Sequence, residues 1–189
     1  MSLPHAILGF LQQGPLTGYE LNTQSFDVSV ANFWPADQAQ IYRTLDRLEE
    51  QGWATSRVEV QRDRPNRKVY SVTEAGRAEL ARWLSTSQPL PVHREPFLVQ
   101  LYFAAGLADE TILSLLRGQV EAHEAQLRAY RETPLPTPEE CGPDGERVAT
   151  LVGLTLELGL RSEEMYLAWL RDAGERVRRL LDKRGLAPL

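Results

Sequence analysis

A single cysteine, Cys141, in a chain of 189 residues leaves no internal disulfide to be formed, and that scarcity suits a reducing, cytoplasmic setting. No run of about 18 or more apolar residues occurs, so no membrane-spanning helix is expected. The first residues, MSLPHAILGFLQQG, lack the basic start and small-residue cleavage site of a secretory signal. Histidine is sparse too: His5, His93 and His123 stand far apart, and no His-x-x-x-His or Cys/His spacing offers a metal-ligand set. Glycine-rich phosphate loops, a Gly-x-Ser-x-Gly elbow and paired carboxylates with placed partners are all missing. Catalysis, cofactors and membrane partners are therefore not expected.

Positive charge is also short overall, at a formal net charge of −5. Its distribution says more than its total. Residues 57–70 hold Arg57, Arg62, Arg64, Arg67 and Lys68 against Glu59 and Asp63. The acidic surplus lies mainly in the second half. With 42% hydrophobic and 25% charged residues the composition is that of a globular chain.

The hydrophobic spacing predicts a helix over 2–13, with Leu3, Ile7, Phe10 and Leu11 on one face and a stop at Gly14-Pro15. Thr17 and Glu20 have capping-box spacing for a second helix. A break follows around Phe33-Trp34-Pro35. Asp37 is the expected N-cap of a third helix, with Gln40 as its reciprocal partner, Ile41, Leu45 and Leu48 inward, and Gly52 as terminator. The period then changes to two. Val58 and Val60, then Tyr70 and Val72, flank a Pro/Asn turn and predict an antiparallel hairpin. Thr73 caps a fourth helix whose Leu80, Trp83 and Leu84 are expected to pack inward.

The proline-rich stretch 85–96 marks the boundary. The reading is thus mainly α with a small antiparallel hairpin, an α+β N-terminal winged helix-turn-helix over 1–86, a linker over 87–96 and a helical dimerisation domain over 97–189. Residues 97–105 are apolar on nearly all sides and predict a buried helix. Asp109 is expected to cap a long helix whose Leu113, Leu116, Val120, His123, Leu127 and Tyr130 follow a 3-4 seam. A loop over 133–144 leads to a last long helix starting near Gly145 and running past Trp169. Leu113, Leu116, Val120, His123, Leu127, Leu154, Leu158 and Trp169 are the candidate dimer residues, because so small a domain has more apolar surface than it can bury alone.

At 100° per residue, Gln40, Arg43 and Arg47 fall on the face of the third helix opposite Ile41, Leu45 and Leu48. Arginine reads guanine and glutamine reads adenine in the major groove, and both bind phosphate. A hairpin tipped by Arg62, Arg64, Asn66, Arg67 and Lys68 can reach the adjacent backbone or minor groove. The bland alternative is a solvated helix face beside an ordinary charged turn. Helix, third position and basic hairpin together favour double-stranded DNA as the partner.

ILGFLQQGPLTGYEL, FWPADQAQIYRTLDRLEEQGW and RKVYSVTEAGRAELARWL, in that order, resemble the PadR family of winged-helix transcriptional regulators. The match covers about the first 85 residues, and the second half resembles, more weakly, the helical domain of the family's longer members. The resemblance implies a homodimer, usually a repressor of an operator, released by another signal or by a small molecule that in some relatives is flat and aromatic. It implies Tyr42 near the phosphate backbone and Gly18-Tyr19 as the family's pair opening helix two. Gly18 would let a phosphate approach, with Tyr19 in the core. Ala39 and Gln40 depart from the glycine and small hydroxyl residue expected there, which bears on operator sequence.

The remaining candidates have plain readings. His123 on an apolar seam is an interface or core histidine, the alternative being a pH-sensitive or ligand-contacting group. Cys141 is a lone loop thiol, the alternatives being a redox sensor or a thiol enzyme. Trp34 and the pair Tyr102-Phe103 lie where an effector cavity could form, and the run Arg176, Arg178, Arg179, Lys183, Arg184 reads as a solvated helix end. The functional rival is a winged helix that binds protein instead of DNA. Its docking helix would expose apolar anchors where this one carries arginines.

Overall fold

The computed structural model describes the backbone of residues 2–30, 33–60 and 66–185, and their side chains apart from 27–29 and 181–185. The chain divides into two compact units, Met1–Pro91 and Val92–Leu189.

In the first unit, α1 (Leu3–Gln13) is followed by β1 (Leu16–Thr17), α2 (Gly18–Glu20) and a π-helical segment, Leu21–Val30. Then come α3 (Gln38–Glu50), β2 (Ala54–Glu59), β3 (Arg67–Val72) and α4 (Glu74–Leu84). Both expected capping boxes form. Thr17 Oγ1 accepts from the Glu20 amide at 3.1 Å while Glu20 accepts from the Thr17 amide at 2.8 Å. Asp37 and Gln40 repeat the exchange at 2.7 and 3.2 Å. Ile41, Leu45 and Leu48 are fully buried among Ile7, Leu8, Leu11, Leu21, Phe26, Tyr70 and Leu80.

The sheet has three antiparallel strands in the order β1-β3-β2, one more than the hairpin expected. Leu16 pairs with Tyr70 and Thr17 with Val69, a contact of two residues that carries no period to read. One inward expectation fails: Leu84 is 68% exposed at the last turn of α4. Val58 of β2 and Val60 just beyond it are exposed to solvent. Tyr19 is 62% exposed and is not part of the core. Helix two also stops being α after one turn. Its continuation, LNTQSFDVSV, is rich in Asn, Ser, Thr and β-branched residues that favour α-helix weakly.

Behind α3, α1 and α4 are joined by a charged and aromatic clasp. His5 Nε2 lies 3.0 Å from Glu79, its ring stacks on Trp83 at 4.6 Å, and Arg82 donates twice to Glu79. Hydrogen bonds from Arg82 first, then His5, hold the Glu79 carboxyl down at about 2. A carboxylate whose folded pKa is depressed stabilises the fold above its unfolded value and loses that contribution as pH falls through the folded one. The first unit is therefore expected to lose stability as pH falls from about 4.5 to about 2, and Glu79→Gln should flatten that part of an acid-melting series followed by circular dichroism.

The second unit is built of α5 (Pro96–Phe103), a 3-10 turn Ala104–Gly106, α6 (Asp109–Glu132), a 3-10 turn Pro138–Cys141 and α7 (Gly145–Gly185). Ala108, not Asp109, is the N-cap of α6, and Asp109 is its first residue. Phe97, Leu116 and Leu170 are buried together, with Leu101, Ile112, Val120 and Tyr166 against them. Residues of the expected dimer seam thus pack inside one chain: Leu116 is 3% and Leu127 7% exposed, and α6 lies along α7. His123 stacks on Tyr166 at 4.5 Å with Nδ1 2.5 Å from Glu163. A 3-4 seam needs an apolar partner, and here the same chain supplies it. Leu113 is half-buried, while Leu154, Leu158 and Trp169 are 53%, 69% and 37% exposed. The buried helix expected over 97–105 is mostly exposed as well, with Val99, Tyr102 and Phe103 at 59%, 81% and 74%.

Candidate nucleic-acid interface

Burial of Ile41, Leu45 and Leu48 at 0% fixes the rotation of α3, and Gln40, Arg43 and Arg47 come out on its exposed side. Among the described residues neither Arg43 nor Arg47 makes an ion pair. Two guanidiniums one turn apart, both unpaired and solvated, form a fork set suited to phosphate or guanine. Asp46, which composition arguments passed over, is exposed on the same helix and narrows where an anion can lie.

Gln40 is less free than its position suggests. Its Oε1 accepts the Asp37 amide within the capping box, leaving its side-chain NH2 to donate. Reading adenine through both amide groups would require that box to open. Gly18 and Tyr42 turn out to be one feature. A Cβ placed on Gly18 would fall 2.6 Å from the Tyr42 ring, so glycine is what admits the ring, which remains 37% exposed. Tyr42 thus packs over the Cα of Gly18 at the start of α2.

The hairpin carries its own counter-charges. Lys68 Nζ lies 2.6 Å from Glu49 and 4.9 Å from the centre of the Tyr70 ring. That hydrogen bond to Glu49 raises the Lys68 pKa, so its ammonium stays charged. Arg67 lies 3.1 Å from Glu59 and 3.7 Å from Glu20, and Arg57 lies 3.0 Å from Glu59. Hydrogen bonds from Arg67, then Arg57, hold the Glu59 carboxyl below its usual range. Cross-strand register sets Glu59 directly opposite Arg67, a pairing that the hairpin alignment contains. Glu49 and Glu20 come from other elements, and no local signal points to them. Asn66 is exposed, and Arg62 and Arg64 lie outside the described residues.

Comparison with known proteins settles the family. Residues 7–82 match the transcriptional regulator PadR-like family and residues 93–178 the C-terminal domain named for virulence activator alpha. The chain is 30% identical over 188 residues to the negative transcriptional regulator PadR of Bacillus subtilis, covering 96% of this chain and 98% of that protein. The chain belongs to the PadR-like family of transcriptional regulators. A second relative, described as a probable transcriptional regulator of Mycobacterium tuberculosis, is 35% identical over 93% of this chain and 97% of its own length.

Solved PadR-like structures agree along the chain. Bacillus subtilis PadR in complex with operator DNA superposes with a TM-score of 0.76 at 28% identity, over 94% of this chain and 99% of that one. The same protein with p-coumaric acid gives 0.73 at 28%, again over 94% and 99%. The Vibrio cholerae virulence activator AphA gives 0.74 at 27%, over 95% and 99%. The fold is therefore a winged helix followed by a helical unit. No helix among the described residues is long and apolar enough to cross a membrane.

Proposed function

We propose that this PadR-like regulator is a cytoplasmic homodimeric repressor that reads an operator in double-stranded DNA through α3, with the hairpin as a wing, and releases it on binding a small molecule. The observation that carries the reading is the pair of exposed arginines, Arg43 and Arg47, without an ion pair among the described residues and opposite a fully buried face of α3. Operator binding by the Bacillus subtilis relative supports the partner, and its p-coumaric acid complex supports a small aromatic carboxylate as the class of effector. Exposed apolar side chains of the second unit support the dimer: Val99, Tyr102 and Phe103 on α5, and Leu151, Leu158 and Met165 at seven-residue intervals on α7. A second copy covers such surface.

Salt titration of operator binding tests the reading. With two to three phosphates neutralised per subunit, log affinity should fall with log salt at a slope of roughly −4 to −5 for the dimer. A slope near zero, with no duplex bound at physiological salt, would favour the protein-binding rival.

A further inference from the structure

A groove of about 330 Å³ runs between the N-terminal half of α6 and the C-terminal half of α7. Its wall follows α6 from Leu113 to Val120 and α7 from Leu170 to Arg178, about two turns of each helix and thus roughly 10–12 Å long at 1.5 Å per residue. Leu113, Leu116 and Leu170 make the floor apolar. The rim is cationic: Arg117, Arg171 and Arg178 stand against Glu175 alone. Arg171 is offset by Glu124 at 3.2 Å, and Glu175 is itself offset by Arg179 at 3.1 Å. Arg117 and Arg178 make no ion pair among the described residues, whose side chains on α7 end at Leu180.

Gly174 lies in the wall of the groove. Glycine inside a helix costs about 1 kcal/mol relative to alanine; Gly9 and Gly118 stand in open, incompletely buried places, and other helix positions keep it where a neighbour comes too close for a Cβ. Gly159 of α7 is such a case, with the Tyr130 ring 3.0 Å from where its Cβ would stand. Gly174 is not: it is buried, yet a Cβ there meets no atom within 4 Å. The missing side chain leaves room in the groove and relieves no crowding.

We propose that this groove binds a straight-chain amphipathic monocarboxylate, its tail along Leu113, Leu116 and Leu170 and its carboxylate between Arg117 and Arg178. The site lies wholly within the second unit and does not depend on the DNA reading. Its test therefore needs no DNA. Decanoate, titrated calorimetrically into the full chain below its self-association concentration, should bind saturably at one per chain, and neutral decanol at least tenfold more weakly. The double substitution Arg117→Gln/Arg178→Gln should weaken decanoate binding at least tenfold. Gly174→Phe, which fills the groove, should abolish binding while a cooperative thermal melt is retained, and the arginine pair decides the matter if that variant does not fold. Absence of saturable binding, equal affinity for decanol, or affinity unmoved by these substitutions overturns the assignment.

Discussion

Replacing Arg43 and Arg47 together by alanine is expected to weaken operator binding by at least ~100-fold with no change in the melting curve. Each arginine that forks onto a guanine or a phosphate is worth about 1–3 kcal/mol, and a dimer loses each of them twice. Stability should hold because both side chains are exposed and neither is ion-paired among the described residues. The single changes separate two roles. Loss of a base contact flattens discrimination between operator and scrambled duplex, whereas loss of a phosphate contact lowers both affinities alike and reduces the salt slope. Gel-shift with both duplexes measures this directly. Binding by the double variant within threefold of the parent would remove α3 from the interface.

The second large effect concerns the fold beneath that helix. Gly76 sits in the first turn of α4, where a Cβ would fall 2.0 Å from the Trp53 carbonyl oxygen and 2.9 Å from Val72. The oxygen is backbone, and it already accepts from the Thr73 amide at 3.0 Å. Thr73 in turn caps α4 through the Gly76 amide at 3.1 Å and donates to the Gly52 carbonyl at 2.6 Å. No flexible side chain is there to yield, so even a methyl group must push the end of the sheet away from α4. Gly76→Ala is expected to destabilise the first unit by about 3 kcal/mol, the upper end of the usual overpacking range, against a small effect for Gly9→Ala, where the site is open. Urea melts of the two variants give the comparison, and near-equal midpoints would contradict it.

What could be read beforehand was whatever the chain encodes locally. Asp37 and Gln40, three residues apart, announce the start of α3, and the buried triad fixes which way Arg43 and Arg47 look. β1 escaped because two residues carry no alternation, and they become a strand only by pairing with Tyr70 and Val69. The neutralisation of Arg67 and Lys68 escaped because Glu20 and Glu49 belong to α2 and α3 and meet the hairpin only after folding. The seam on α6 was visible as a seam, but its spacing cannot say whose apolar side chains fill it. In the folded chain these include Leu170 and Tyr166 of α7. The packing of Gly18 against Tyr42 escaped as well, since the two are distant in sequence and adjacent in space.

The carboxylates leaning on Arg57, Arg67 and Lys68 also bear on how a regulator searches a genome. Exposed pairs of this kind hold weakly, at about 0.2–1 kcal/mol each, so a polyanion can displace them, but only by breaking a bond at every step. Under the proposed function that toll falls equally on every duplex the protein meets, while the reward at α3 comes only at the correct one. On the proposed reading of the hairpin as a wing, Glu20, Glu49 and Glu59 shorten residence on the wrong DNA by competing with phosphates for Arg57, Arg67 and Lys68.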